Sequence, residues 1–276
     1  MPLALCAGFN ADRRGEIAPP VRRPWLDMDV VLDRLIGFVA QNMPSWRSAA
    51  FSGPPDLAWS FAALWFAGWL QRRGARTGYT RKVFHFLIFT TVAVLEWRLG
   101  TPAVCLFGAM CTVAVFTAVW RGPGSVLYEA IARPQDAPHR TWFILVPYFA
   151  TLGGGLASNL AFGPVALAGY VVTGLGDAIG EPVGTMFGAH RYQVCSLSSV
   201  PATRSLEGSA AVLVMSAAAL VIAAAASPAI TLGWVAAPKL IVIAAVCALL
   251  EAVTPHGWDN LTMQIVPTAM AWAWLA

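Results

Sequence analysis

Long apolar runs separated by short polar stretches fill most of this 276-residue chain. A helix rising 1.5 Å per residue needs about 20 apolar residues to cross the roughly 30 Å hydrocarbon core of a bilayer. Eight segments meet or approach that pattern, at 57–71, 83–100, 101–120, 141–158, 160–178, 207–227, 234–253 and 262–276. The second and third are joined tightly through Leu99-Gly100-Thr101-Pro102, and the last is short enough to end partway across. Ahead of them, Met28, Leu32, Leu35, Val39 and Met43 recur at helical spacing, which predicts an amphipathic helix on the membrane surface. A loosely ordered arm is the alternative there. The expected architecture is all-α: a polytopic transmembrane bundle of about eight spans in 57–276, preceded by an N-terminal arm over 1–56.

Composition supports that reading. The chain is 58% hydrophobic and 12% charged, against roughly 25% charged in soluble domains. Its mean hydropathy is +0.63, which excludes a disordered chain. The net charge of +4 comes from 16 Arg and two Lys, with no basic stripe interleaved with aromatics, so a nucleic-acid partner is not expected. Five cysteines, an odd number without a CxxC pair, read as small apolar residues and not as a disulfide frame or zinc site. Met1 to Phe9 is too short for a secretory signal, and its arginines follow the apolar part.

Arg and Lys set the expected orientation. The loops at 71–82, 121–140 and 179–206 alternate onto one face and hold ten basic residues, against Arg98 and Lys239 on the other. The basic face is expected to be cytoplasmic. That leaves the arm outside despite its six arginines, unless their six matching acids or a shallow re-entrant helix relieves the conflict.

With this topology the polar clusters gather at one membrane boundary. Snorkelling anchors account well for Arg72, Arg73 and Arg76, but poorly for acids inside apolar helices, which are costly and usually serve a site. Asp177 and Glu181 are four apart, so a helix places them on one face. Two such oxygen donors suit Mg²⁺ held together with substrate phosphates. Gly176, Gly180, Gly184 and Gly188 repeat every fourth residue, a pattern that also suits close helix packing. Pro182 is expected to break the helix beside them. In Arg204-Ser205-Leu206-Glu207-Gly208-Ser209, Ser205 reads as an N-cap and Glu207 as a complement to the helix dipole. The same N-terminus, with Arg204 and Gly208, is an anion site in waiting. Arg81, Lys82 and His85 open the second predicted span, where the first two can neutralise phosphate oxygens and the third can carry a proton. Asp259 and Asn260 follow a turn before the last span, where capping is the alternative role.

At these residues the chain resembles the membrane-embedded, CTP-dependent lipid-alcohol kinases, the phytol, farnesol and dolichol kinases. It has Arg81-Lys82-Val83-Phe84-His85, Gly176-Asp177 with Gly184, Arg204-Ser205-Leu206-Glu207-Gly208-Ser209, and Glu251 followed by Asp259-Asn260-Leu261. All four lie in family order over roughly 70–276, and the modest length is closer to the phytol-kinase branch. Two positions depart from the pattern: Ala is usual where Gly180-Glu181 stands, and Lys where Arg204 stands. The resemblance implies a catalytic domain that transfers phosphate from a nucleoside triphosphate, CTP, to a long isoprenoid alcohol in the bilayer. It implies Asp177, Lys82, His85 and Arg81 as catalytic residues, and Arg204, Ser205, Glu207, Gly208, Gly184 and Asn260 as nucleotide or substrate contacts. Mg²⁺ would be held by Asp177 with Glu181 or Asp259. His85 and Asp177 both remain open as the base. The family borders the phosphatidate cytidylyltransferases, so cytidylyl transfer to a lipid phosphate is the nearest alternative. A small-molecule transporter is the alternative from another class, disfavoured because the Gly176–Gly188 pattern has no second copy.

Overall fold

The computed structural model describes residues 28–194, 202–233, 236–255 and 257–276. The protein is 82% helical, which makes helix-on-helix packing its only means of building a core. The helices are α1 (Met28–Asn42), α2 (Trp46–Arg72), α3 (Thr77–Leu99), α4 (Thr101–Arg121), the short α5 (Val126–Glu129), α6 (Trp142–Phe162), α7 (Ala166–Val172), α8 (Ala178–Phe187), α9 (Leu206–Ala226), α10 (Ala236–Val253) and α11 (Asp259–Leu275). Among the described residues, four segments are long and apolar enough to cross a membrane: Thr101–Arg121, Trp142–Phe187, Leu206–Ala226 and Ala236–Val253. Exposed Trp65, Phe66, Trp120, Phe149, Val214 and Ile241 decorate the outside of the bundle, as expected of surfaces solvated by lipid.

The start of the bundle differs from expectation. Helix α2 begins at Trp46, capped by Ser45, whose hydroxyl accepts from the Ser48 amide at 3.1 Å, and it runs through Pro54 and Pro55 without ending. One helix therefore crosses the boundary placed at residue 56. Helix α1 packs along α4 and α6, with Phe38 turned into the bundle while Leu32, Ile36, Val39 and Met43 stay exposed.

Two apolar clusters divide the core. One joins α7, α9, α10 and α11 around Val172, Val212, Leu220, Ile243 and Met263. The other joins α2 and α4 to the 126–132 loop around Leu64, Val115 and Tyr128. Between them α3 crosses, carrying Phe89 against Ala166 and Tyr170.

Pro182 does not break its helix. It sits inside α8, and the irregularity lies just ahead, where Thr173–Asp177 forms a π-turn between α7 and α8. The wider turn relaxes the helix immediately before the ring that would otherwise crowd the carbonyl four residues back, so the helix continues. The recurring glycines prove to be packing positions. A Cβ at Gly180 would stand 2.8 Å from Val212, and one at Gly208 would stand 2.8 Å from the Gly180 carbonyl oxygen. Helices α8 and α9 therefore touch backbone to backbone. After α8 an antiparallel pair, β1 (Arg191–Val194) and β2 (Ala202–Ser205), pairs Tyr192 with Arg204 and leads directly into α9.

Candidate functional site: a cationic cavity against an apolar one

The first turns of α3 carry Arg81, Lys82 and His85, and the α7–α8 junction carries Asp177 and Glu181 opposite them. The Lys82 ammonium donates to Asp177 Oδ2 at 2.7 Å and to the Asp177 carbonyl oxygen at 2.9 Å. His85 Nε2 lies 3.0 Å from the Thr173 carbonyl oxygen and 3.4 Å from Asp177 Oδ2. The π-turn makes this possible by re-aiming Asp177 and the Thr173 carbonyl toward α3. Asp177 is buried, and its Oδ1 has no hydrogen-bond partner among the described residues.

One turn further on, Glu181 receives two arginines, Arg81 at 3.1 Å and Arg133 at 3.3 Å. Arg133 in turn grips Asp136 with two bonds of 2.9 Å. A Cβ at Gly78 would stand 2.6 Å from Glu181 Oε1, so a glycine on α3 makes room for this carboxylate. On the far side, Arg204 pairs with Glu251 of α10 and with Asp259 of α11, the latter at 3.3 Å. Ser205 caps α9, accepting from the Gly208 amide at 3.1 Å.

These groups surround a polar cavity of about 320 Å³. Its wall holds six cationic side chains (Arg76, Arg81, Lys82, Arg133, Arg191, Arg204) and four acids (Asp136, Glu181, Glu251, Asp259), together with Gly184 of α8 and with Ser205 and Gly208 at the N-terminus of α9. The excess of cations and the helix N-terminus favour an anion with several charged oxygens.

A second cavity, of about 470 Å³, adjoins the first. It runs between α3, α4, α6, α7 and α11 and is lined by Phe84, Ile88, Val92, Phe107, Val115, Ile144 and Leu156 among others. Arg81, Lys82, Phe143 and Asp259 belong to both walls. A charged chamber and an apolar one thus meet at the start of α3, and His85 and Asn260 line the apolar side of the junction.

The sequence-predicted residues divide accordingly. Arg81, Lys82, Glu181, Gly184, Arg204, Ser205, Gly208 and Asp259 are brought together around the polar cavity. His85 and Asn260 face the apolar one, where Asn260 donates to Thr151 Oγ1 at 2.8 Å. Asp177 lines neither, because Lys82 stands in front of it. Glu207 also lines neither. It turns outward to accept from the His190 amide at 3.2 Å and to meet His190 Nδ1 at 2.7 Å. The β1–β2 pair that carries His190 back to α9 makes that contact, and periodicity gave no sign of it. Arg133, Asp136 and Arg191 line the polar cavity although spacing does not single them out, and so does Arg76, which the sequence reads as a snorkelling anchor. The acids Asp177, Glu181 and Asp259 do not converge, and among the described residues no three His, Cys, Asp or Glu side chains do. Glu181 and Asp259 nonetheless face the polar cavity, which suits a cation carried on a polyphosphate better than an all-protein cage.

Comparison with protein-family models, curated proteins and solved structures gives no match to this chain.

Proposed function

We propose that this protein is an integral membrane phosphotransferase that moves the terminal phosphate of a nucleoside triphosphate, CTP by the family resemblance, onto a long isoprenoid alcohol such as phytol or dolichol. One observation carries the reading: the cationic cavity and the apolar cavity share a wall made of Arg81, Lys82, Phe143 and Asp259. Phosphoryl transfer to a lipid needs a charged and an apolar substrate to meet at one point, with most of the catalysis supplied by positioning and charge.

In this reading the triphosphate occupies the polar cavity. Arg204 and the N-terminus of α9 hold its non-transferring phosphates, while Arg81, Lys82 and Arg133 neutralise the group in flight. The lipid tail fills the apolar cavity with its hydroxyl at the junction. The alcohol oxygen forms the new P–O bond, the bond to the leaving nucleoside diphosphate breaks, and the hydroxyl proton goes to a base. His85 suits that role better than Asp177, since it lines the lipid cavity and Asp177 is occupied by Lys82. Donation from His85 Nε2 to the Thr173 carbonyl leaves Nδ1 as an acceptor. Asp177 then acts by holding Lys82. Mg²⁺ bound to the phosphates would add charge neutralisation, with Glu181 and Asp259 as its protein ligands.

The reading also commits to the eight-span arrangement, with α2, α3, α4, α6, α7–α8, α9, α10 and α11 crossing the bilayer and the Arg-rich face in the cytoplasm. Cytidylyl transfer to a lipid phosphate would use the same cavities, and its product separates the two. Purified protein is incubated with CTP or ATP labelled at the γ-phosphate and with phytol, geranylgeraniol, farnesol, dolichol or phosphatidate. Label in the lipid with release of nucleoside diphosphate supports the kinase. Release of labelled pyrophosphate selects the cytidylyltransferase, and no transfer from either nucleotide rejects both.

A further inference from the structure

The apolar cavity is not apolar throughout. Gln264 of α11 lines it and is only 1% exposed. Its amide nitrogen donates to two backbone carbonyls, Thr151 at 3.1 Å and Asn260 at 2.6 Å. Those bonds fix which end of the amide is which, and they leave Oε1 buried without a partner among the described residues. Beside it stands the Tyr170 hydroxyl, which accepts from Asn159 Nδ2 at 2.5 Å and has no acceptor for its own proton among the described residues. Gly154 and Gly155 make the space: a Cβ at Gly155 would lie 3.1 Å from Tyr170 Oη and 3.4 Å from Gln264 Oε1, and one at Gly154 would lie 2.7 Å from the Gln264 nitrogen. An unpaired acceptor in an apolar cavity costs free energy unless something occupies it.

We infer that this station, an acceptor on Gln264 and a donor on Tyr170, recognises a second oxygen on the lipid. The inference rests on the lipid-kinase reading and moves its substrate from phytol and dolichol, which carry one hydroxyl, to a long-chain alcohol with two. Gln264 lies one helical turn beyond Asn260, so the station is roughly 5–10 Å deeper than the junction. The lipid class selected is a long-chain alcohol bearing a further hydroxyl about that far from the one phosphorylated. That hydroxyl would accept from Tyr170 and donate to Gln264. A single water has the same two bonding roles and is the competing occupant.

The test uses the full chain in lipid nanodiscs. Binding of a long-chain diol with that hydroxyl spacing is compared with binding of the mono-alcohol of equal chain length, for wild type, Gln264→Leu and Tyr170→Phe. Phosphoryl transfer to the mono-alcohol is measured in parallel. Wild type is expected to prefer the diol by about tenfold, and each variant to bring the ratio close to one. Tyr170→Phe keeps the result readable should Gln264→Leu fold poorly, because Asn159 retains its bond to the Gly155 carbonyl at 2.9 Å. Equal affinities in wild type, or a preference that survives both substitutions, overturn the inference and leave water as the occupant. If the mono-alcohol binds and is phosphorylated while the diol gains nothing, this inference alone falls. If neither alcohol binds, the lipid-kinase reading falls with it.

Discussion

Lys82 holds Asp177 by both its side chain and its backbone, at 2.7 and 2.9 Å, with both side chains almost fully buried. Of the pair, only Lys82 lines the two cavities, as part of their shared wall. The proposed reading therefore gives its two members separable duties: the cation would act on substrate and the anion would keep the cation in place.

Asp177→Asn is expected to remove phosphoryl transfer and to destabilise the protein by about 3–5 kcal/mol, the cost of leaving one charge of a buried pair alone. Pairing it with Lys82→Met should return most of the stability, since no uncompensated charge remains, yet return no activity. Thermal unfolding and turnover measured on the two single variants and the double variant check this. Turnover near that of wild type in Asp177→Asn would show that Lys82 needs no such support.

How much of this was legible beforehand depends on how local each feature is. Arg81, Lys82 and His85 share one turn of α3, and Arg204 abuts the Ser205 cap, so spacing alone places each group on an element. In the sequence Arg133 reads only as a loop charge, because its partner Glu181 lies 48 residues away and no periodicity links a loop to a helix across that distance. Arg76 was hidden beside Arg72 and Arg73, three arginines with one apparent role. Glu207 fits a dipole argument at the start of α9, and that local role conceals its outward pairing with His190. The proline at 182 was visible, but the π-turn that accommodates it has no signature in a single sequence.

The proposed topology predicts which surfaces can be reached from which side. Single cysteines replacing Arg73, Gln135 and His190, all exposed, should be modified by a membrane-impermeant maleimide only from the cytoplasmic side. One replacing Leu99, which is 66% exposed at the other end of α3, should be modified only from the opposite side. Labelling of Gln135 and Leu99 from the same side would remove the eight-span arrangement.

The loop that presents Arg133 is itself held by a charge pair, and this gives it an acid limit. Arg140 donates to Glu129 at 2.6 Å and to the Ala132 carbonyl at 2.5 Å. Hydrogen bonding from Arg140 holds the Glu129 carboxyl below its ordinary range, ahead of the opposing effect of burial. A depressed carboxylate stabilises the folded loop above the unfolded pKa, and that contribution is lost as pH falls through the folded value. Protection of the amides over 122–140, taken relative to the intrinsic exchange rate at each pH, should therefore fall below about pH 4.5 in wild type. Glu129→Gln should already exchange faster at neutral pH and respond far less to acid. An unchanged acid response in Glu129→Gln would assign the step to another group.

Arg204 joins β2 to α10 and α11 through Glu251 and Asp259 while facing the polar cavity. It can act as a phosphate ligand, as a structural tie, or as both, and kinetics separates these roles. If it holds a donor phosphate, Arg204→Ala should raise the apparent KM for nucleotide by about 10- to 100-fold, the range for a lost hydrogen bond to a charged group. The KM for lipid should stay near wild type, because Arg204 does not line the apolar cavity. Arg204→Lys should recover part of the loss, keeping the charge but not the two-pronged geometry. A purely structural tie would behave differently: with Glu251 and Asp259 left unpaired, kcat would fall and both KM values would drift together. Arg72→Ala supplies the baseline for an arginine outside both cavities. The deciding measurement is the nucleotide KM of Arg204→Ala against that of Arg72→Ala at saturating lipid. Equal values would take Arg204 out of the nucleotide site and leave Arg81, Lys82 and Arg133 to carry the charge.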